Sequence, residues 1–182
     1  MIPANFKLIY SAQQIKEKVE ELGQKISLWA EEIWKDSHSD LLAVPVLRGG
    51  IFFFSDLVRK ISYSVEIAPV RCWSYRSDVN AEQLSEINVN LEDLPAAGRS
   101  ILLVDDICDS GQTLETLTSL LKGKGAREVR SAVLIKRECE ESRFNPDYVG
   151  FYYKGSEWFV GYGMEDCNRW RNLADIYVIQ QH

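Results

Sequence analysis

Apolar side chains at Ile15, Val19, Leu22, Ile26, Ala30 and Ile33 recur in alternating steps of four and three, and predict a helix over residues 11–34 with one dry face. Ser11, followed three residues later by Gln14, supplies a capping box for its start. The apolar run Leu41 to Leu47 is broken by Arg48-Gly49-Gly50, and a second helical pattern follows from Ile51 to Ile61, giving strand, loop, helix. Val65 to Trp73 reads as another strand. Tyr75 to Asn90 is polar, carries Ser77, Asp78 and Asn80, and has no sustained apolar face, so a mobile loop or weak hairpin is expected there. Ser100 to Val104 is a strand that stops at Asp105-Asp106, with a glycine turn leading into a helix over Thr113 to Leu121. Val129 to Ile135, Tyr148 to Tyr153, Trp158 to Tyr162 and Ile176 to Ile179 are later strands. Strands alternating with helices early in the chain imply an α/β fold, a mostly parallel central sheet flanked by helices and joined by right-handed crossovers. Without repeats or a linker, residues 1–182 are expected to form a single domain.

A chain of 182 residues can bury a core without disulfide or metal staples. It is 46% hydrophobic and 26% charged, with no bilayer-length apolar run and no charged-then-apolar leader, so a soluble cytoplasmic protein with no membrane partner is expected. Cys72, Cys108, Cys139 and Cys167 are too scattered for paired metal-ligand spacing or a disulfide framework. The net charge of −6 argues against nucleic acid as a partner, since neutralising phosphates needs a surplus of Lys and Arg. An anionic ligand must therefore be held locally.

Candidate chemistry concentrates in Val104-Asp105-Asp106-Ile107-Cys108-Asp109-Ser110-Gly111-Gln112-Thr113, where a parallel strand ends and a helix begins. Open α/β sheets bind ligands at that edge. Gly111 permits a tight turn whose N–H groups can converge on one oxyanion, and the helix adds the positive end of its dipole. Ser110 and Thr113 can add hydroxyl donors, while carboxylates beside a phosphate cradle suit the vicinal hydroxyls of a ribose. The plain alternative is an acidic turn that only caps a helix.

This segment closely resembles the PRPP (phosphoribosyl pyrophosphate) signature of type I phosphoribosyltransferases, and the likeness extends from about residue 41 to 179 towards the hypoxanthine-guanine family. The resemblance implies that Asp105 and Asp106 hold the ribose hydroxyls and contribute to metal binding. It places the 5′-phosphate on Asp109, Ser110, Gly111, Gln112 and Thr113, with Asp109 near purine N7 as general base or acid. Gln112 replaces a frequent lysine. Arg48, Gly49 and Gly50 resemble the pyrophosphate loop, where the Leu47–Arg48 peptide can be cis; Arg171 matches an arginine that binds the same group. Ser74-Tyr75 resembles the start of a flexible catalytic loop, about 74–90, that would shield the reaction from water.

For the base, Lys136 at a strand end would donate to an exocyclic carbonyl oxygen, favouring a 6-oxopurine over adenine. Trp158 would stack on the ring and the Phe159 backbone would meet its Watson–Crick edge. Glu165 stands where the family has an Asp associated with a second Mg²⁺, and Asp166 where a Tyr is usual, leaving either as the metal-site acid. A solvated Arg48, Arg171 or Lys136, and a Trp158 spent on packing, are the plain alternatives. The resemblance further implies a small hood from about residues 1–10 and 150–182, Mg²⁺ as cofactor, PRPP, a 6-oxopurine base, pyrophosphate and a purine nucleoside monophosphate as ligands, and a homodimer or homotetramer. A PRPP-sensing regulator with little catalysis and a xanthine-preferring enzyme are the rival readings.

Overall fold

The structure is a computed structural model that describes residues 2–74, 87–89, 91, 94–139, 142 and 144–180. Its first helix, α1 (Ala12–Ser37), begins where the capping box puts it: Gln14 N–H donates to Ser11 Oγ at 3.3 Å and Ser11 N–H to Gln14 Oε1 at 2.9 Å. It outruns the periodic face by a turn and ends at His38, whose left-handed backbone returns an N–H to the Trp34 carbonyl. All six residues of the predicted face are buried.

The main sheet runs β5 (Ile87–Val89), β4 (Val70–Ser74), β2 (Leu41–Leu47), β6 (Ser100–Cys108), β7 (Glu128–Arg137) and β8 (Tyr148–Tyr153). β3 (Val65–Ile67) also pairs with β2, and every pairing is parallel except β4 with β5. β3 and β4 are the single predicted strand 65–73 cut in two: Ala68 N–H still reaches the Ala43 carbonyl at 3.1 Å, but Pro69 has no N–H to offer. β5, the described part of the stretch 75–90 expected to be a mobile loop or weak hairpin, pairs antiparallel with β4; residues 75–86 and 90 lie outside the described residues.

Side chains alternate across the sheet and build two cores. Ala43, Leu102, Val104, Ala132 and Leu134 meet α1 and α2 (Ile51–Val58) on one face. Leu42, Val44, Ile101, Leu103 and Val133 meet Leu114, Leu117 and Leu121 of α3 (Gln112–Gly123) on the other. Helices thus cover both faces, as the alternating pattern required.

A smaller antiparallel sheet, β1 (Phe6–Tyr10), β10 (Ile176–Ile179) and β9 (Trp158–Val160), forms the hood from both ends of the chain. Two departures from the sequence reading lie here. β1 carries too short and mixed a pattern to declare itself, and is a strand because Phe6 and Leu8 find partners at Ile179 and Tyr177. The predicted strand 158–162 ends at Val160, because Gly161, Tyr162 and Gly163 all take positive φ (99°, 48° and 104°) and turn the chain back towards the main sheet.

Candidate active site

β6 continues beyond its predicted end: Asp105 pairs with Val133, Ile107 with Ile135 and Cys108 with Lys136, so the two acids are buried residues near the end of a central strand. Asp105 and Asp106 are only 9% and 8% exposed, although both are acids. Asp106 N–H donates to Asp105 Oδ1 at 2.9 Å and Ile107 N–H to Asp106 Oδ1 at 3.0 Å. Burial, then the neighbouring Asp106 charge, pushes the Asp105 carboxyl well above the ordinary carboxylate range. Asp106 is also raised by burial, with Asp105, backbone N–H groups and the Arg171 charge pulling the other way. Two buried carboxyls with so little compensation favour a shared proton or an incoming cation.

The glycine turn follows directly. Gly111 has φ +83°, and α3 starts at Gln112 with no side chain capping it, so its first N–H groups are available to an anion. Ser110 Oγ accepts from Gln112 N–H at 3.4 Å, a long contact that a phosphate oxygen can replace. Thr113 lies in the same first turn.

The Arg48-Gly49-Gly50 loop joins β2 to α2 beside these acids, and the Leu47–Arg48 peptide is cis. A Cβ on Gly49 would lie 2.2 Å from Asp106 Oδ2, and one on Gly163 would lie 2.1 Å from the Gly49 carbonyl oxygen. Hood, loop and acid are therefore stacked backbone to carboxylate, with no room for a side chain. Arg171 Nη1 donates to the Gly163 carbonyl at 2.6 Å and its Nη2 lies 3.2 Å from Glu165 Oε1. Arg48 Nη2 donates to Asn168 Oδ1 at 3.0 Å.

A cavity of about 210 Å³ opens between β6, the end of β7 and the hood. Asp106, Asp109, Trp158, Phe159, Glu165 and Arg171 line it, which gathers residues spread over 66 sequence positions onto one wall. Arg171 also borders a second hollow of about 390 Å³ lined by residues 168–172, so it stands between the two spaces. Trp158 is 61% exposed, with its ring free on the cavity side and its indole N–H held by the Glu165 carbonyl at 2.7 Å.

Other expected residues fall elsewhere. Lys136 is buried, but its Nζ donates to Ser142 Oγ at 2.9 Å and the Phe144 carbonyl at 2.5 Å and is not on the cavity wall. Of the two hood acids, Glu165 lines the cavity and Asp166 does not; Asp166 faces Cys167 and Arg169. Ser74 is the last residue of β4, and Tyr75 lies outside the described residues. Arg137, Ile107 and Met164 line the cavity without having been singled out in the sequence. Only Arg137 had a signal, a cation next to Lys136 at a strand end.

Among the described residues no group of three or more His, Cys, Asp or Glu side chains is arranged to hold a metal. Mg²⁺ nevertheless fits the donor chemistry, because it is bound through one or two carboxylates with substrate phosphates completing its shell, and Asp105, Asp106 and Glu165 offer such oxygens. No helix among the described residues is long and apolar enough to cross a membrane.

The phosphoribosyl transferase domain family matches residues 9–166. The chain is 32% identical over 172 residues to the hypoxanthine phosphoribosyltransferase of Buchnera aphidicola subsp. Schizaphis graminum, covering 93% of both chains. It is 30% identical over 178 residues to the hypoxanthine-guanine phosphoribosyltransferase of Mycobacterium tuberculosis, covering 97% of this chain and 87% of that one. Its fold matches the crystal structure of a hypoxanthine phosphoribosyltransferase from Staphylococcus aureus with a TM-score of 0.82 at 23% identity, over 96% of this chain and 91% of the other. With the acids ending β6, the cradle opening α3 and the glycine loop beneath the hood, the chain belongs to the type I phosphoribosyltransferases, in the hypoxanthine-guanine family of purine-salvage enzymes.

Proposed function

We propose that the protein transfers the 5-phosphoribosyl group of PRPP to N9 of a 6-oxopurine, with hypoxanthine and then guanine as the candidate bases, and releases a purine nucleoside 5′-monophosphate and pyrophosphate. The observation that carries this reading is the shared wall of Asp106, Asp109, Trp158, Glu165 and Arg171: ribose acid, candidate base, stacking ring, hood acid and pyrophosphate cation around one space. Curated relatives named for hypoxanthine and guanine support the base class.

On this reading the α3 N-terminus, Ser110 and Thr113 hold the 5′-phosphate, and Asp105 and Asp106 accept from the ribose hydroxyls. Arg48, Arg171 and the backbone of residues 48–50 take the charge that builds on the leaving pyrophosphate. Asp105, Asp106 and Glu165 would hold Mg²⁺, which when bound would supply Lewis-acid neutralisation of phosphate charge. Asp109 accepts the N7 proton as N9 attacks C1′. Trp158 stacks on the purine while the Phe159 backbone meets its edge. Lys136 must exchange Ser142 Oγ and the Phe144 carbonyl for purine O6, so a shift of that segment accompanies base binding. On the same reading the enzyme works in the cytoplasm as a homodimer or homotetramer, which light scattering of the purified chain would test.

The test is pyrophosphate release from PRPP with Mg²⁺ and each of hypoxanthine, guanine, xanthine, adenine and orotate, with Asp109→Asn and Lys136→Ala alongside. Turnover confined to oxopurines and weakened in both variants is expected. Turnover with orotate or adenine would overturn the base assignment, and tight PRPP binding without turnover on any base would make the protein a PRPP sensor.

A further inference from the structure

Asp109 sits on the loop after β6 with its side chain 58% exposed, and an exposed carboxylate on a turn has little to fix its direction. Arg137 supplies what the loop lacks. Its Nε donates to Asp109 Oδ1 at 2.5 Å, its Nη2 to the Glu157 carbonyl at 3.1 Å and its Nη1 to the Gly155 carbonyl. The guanidinium also lies 5.0 Å from the centre of the Phe159 ring and 5.7 Å from that of Tyr153. Although charged, this side chain is only 14% exposed, far more enclosed than the acid it contacts. Three acceptors from two separate segments, the Asp109 loop and residues 155–157, matched to a planar fork, fix a guanidinium as they could not fix an ammonium.

The same segments build the base site. Residues 155–157 lead directly into Trp158, Phe159 carries the cavity's inner wall, and Asp109 faces both across about 210 Å³. We propose that Arg137 is the positioning residue of the base site, setting the Asp109 carboxylate and the 155–159 segment at one spacing so that a purine stacked on Trp158 presents N7 to the free Asp109 oxygen. Arg137 engages Oδ1 and leaves Oδ2 for the proton. This inference rests on the reading of Asp109 as general base, since a positioned carboxylate matters only if it takes a proton.

A double-mutant cycle tests it, with Arg137→Met, Asp109→Asn and the combined variant followed by the single-turnover rate of nucleotide formation and by PRPP affinity. Methionine keeps an apolar stem against Phe159 while removing the fork. A misplacement of about 1 Å at a reacting group can cost about 100-fold, so Arg137→Met should slow the chemical step by roughly 10- to 100-fold. PRPP affinity should fall far less than the rate, because Arg137 bonds the Asp109 side chain and none of the Ser110, Thr113 or α3 donors, and the combined variant should be no slower than Asp109→Asn by more than about twofold. Should Arg137→Met fail to fold, Arg137→Lys keeps the charge without the fork and should show the same loss, with Arg137→Ala regaining rate on addition of free guanidinium at millimolar levels. A wild-type rate in the Arg137 variants beside a slow Asp109→Asn, or losses that simply multiply in the combined variant, would overturn the positioning role alone. A wild-type rate in Asp109→Asn would instead remove the general-base reading beneath it.

Discussion

Asp105 shows at a single residue how the site is maintained against the stability of the fold. Its carboxyl is buried, raised by that burial and by the neighbouring Asp106 charge, and accepts the Asp106 N–H at 2.9 Å. A carboxyl whose folded pKa lies above its ordinary 3.8 binds more protons folded than unfolded, so its contribution is present below that value and is lost as pH rises towards the folded pKa. Asp105→Asn mimics the protonated form: it keeps the acceptor for Asp106 N–H and gains a donor for the Asp106 carboxylate. Melting curves should show the variant more stable than the parent at pH 7 by about 1–3 kcal/mol, the usual scale for a poorly compensated buried polar group. The gain should fade as pH falls towards about 4, where the parent carboxyl protonates in both states. PRPP affinity should fall in the same variant, which separates what the ribose needs from what the strand would prefer.

At the scale of elements, the apolar spacing of α1 was legible because a long amphipathic helix repeats its signal, here over about five turns from Ile15 to Ile33, and the face it predicts is the face that is buried. What spacing cannot show is where another element crosses. Gly23 lies inside that face, and a Cβ there would sit 2.4 Å from Lys60 Cβ and 2.9 Å from the Lys60 carbonyl oxygen at the end of the α2 segment. Intrinsic helix propensity favours Gly23→Ala by about 1 kcal/mol. The close backbone approach outweighs it, so denaturant titration should show a net loss of about 1–3 kcal/mol. The same limit explains the misjudged strands. Trp158 to Tyr162 alternates like a strand, but its end depends on the hood turning at Gly161, and β1 becomes a strand only through β10. The acidic motif was legible because strand end, acids and glycine turn are contiguous in sequence; Arg137 was not, since its importance comes from Gly155 and Glu157, which reach it only through the fold.

Across the whole molecule, the hood must stay in register with the main sheet for Arg171, Glu165 and Trp158 to face Asp106 and Asp109, and the turn at residues 161–163 is the joint. Gly163 stacks on the Gly49 carbonyl, and next to it Tyr162 Oη donates to Asp56 Oδ2 at 2.6 Å, tying the hood to α2, the helix that the Arg48-Gly49-Gly50 loop opens. Burial and then the Asp56 hydrogen bond push the Tyr162 phenol far above its ordinary range, so it remains a neutral donor. Tyr162→Phe removes that bond but leaves Asp56 paired with Arg59, so no carboxylate is stranded and the loss of stability should be about 1–2 kcal/mol. Because the raised phenol contributes fully below its unfolded pKa of about 10 and less as pH rises above it, the gap between parent and variant should be constant from about pH 6 to 9 and narrow beyond. The functional effect should fall unevenly. Asp56 lies on the helix that follows residues 48–50, so with that loop holding pyrophosphate as proposed the KM for PRPP should rise by roughly 3- to 10-fold while the KM for the base, which Trp158 and Phe159 on β9 are proposed to set, changes less. Equal changes in both constants would mean that the hood moves as one rigid piece and that the Tyr162–Asp56 bond does not address the pyrophosphate side in particular.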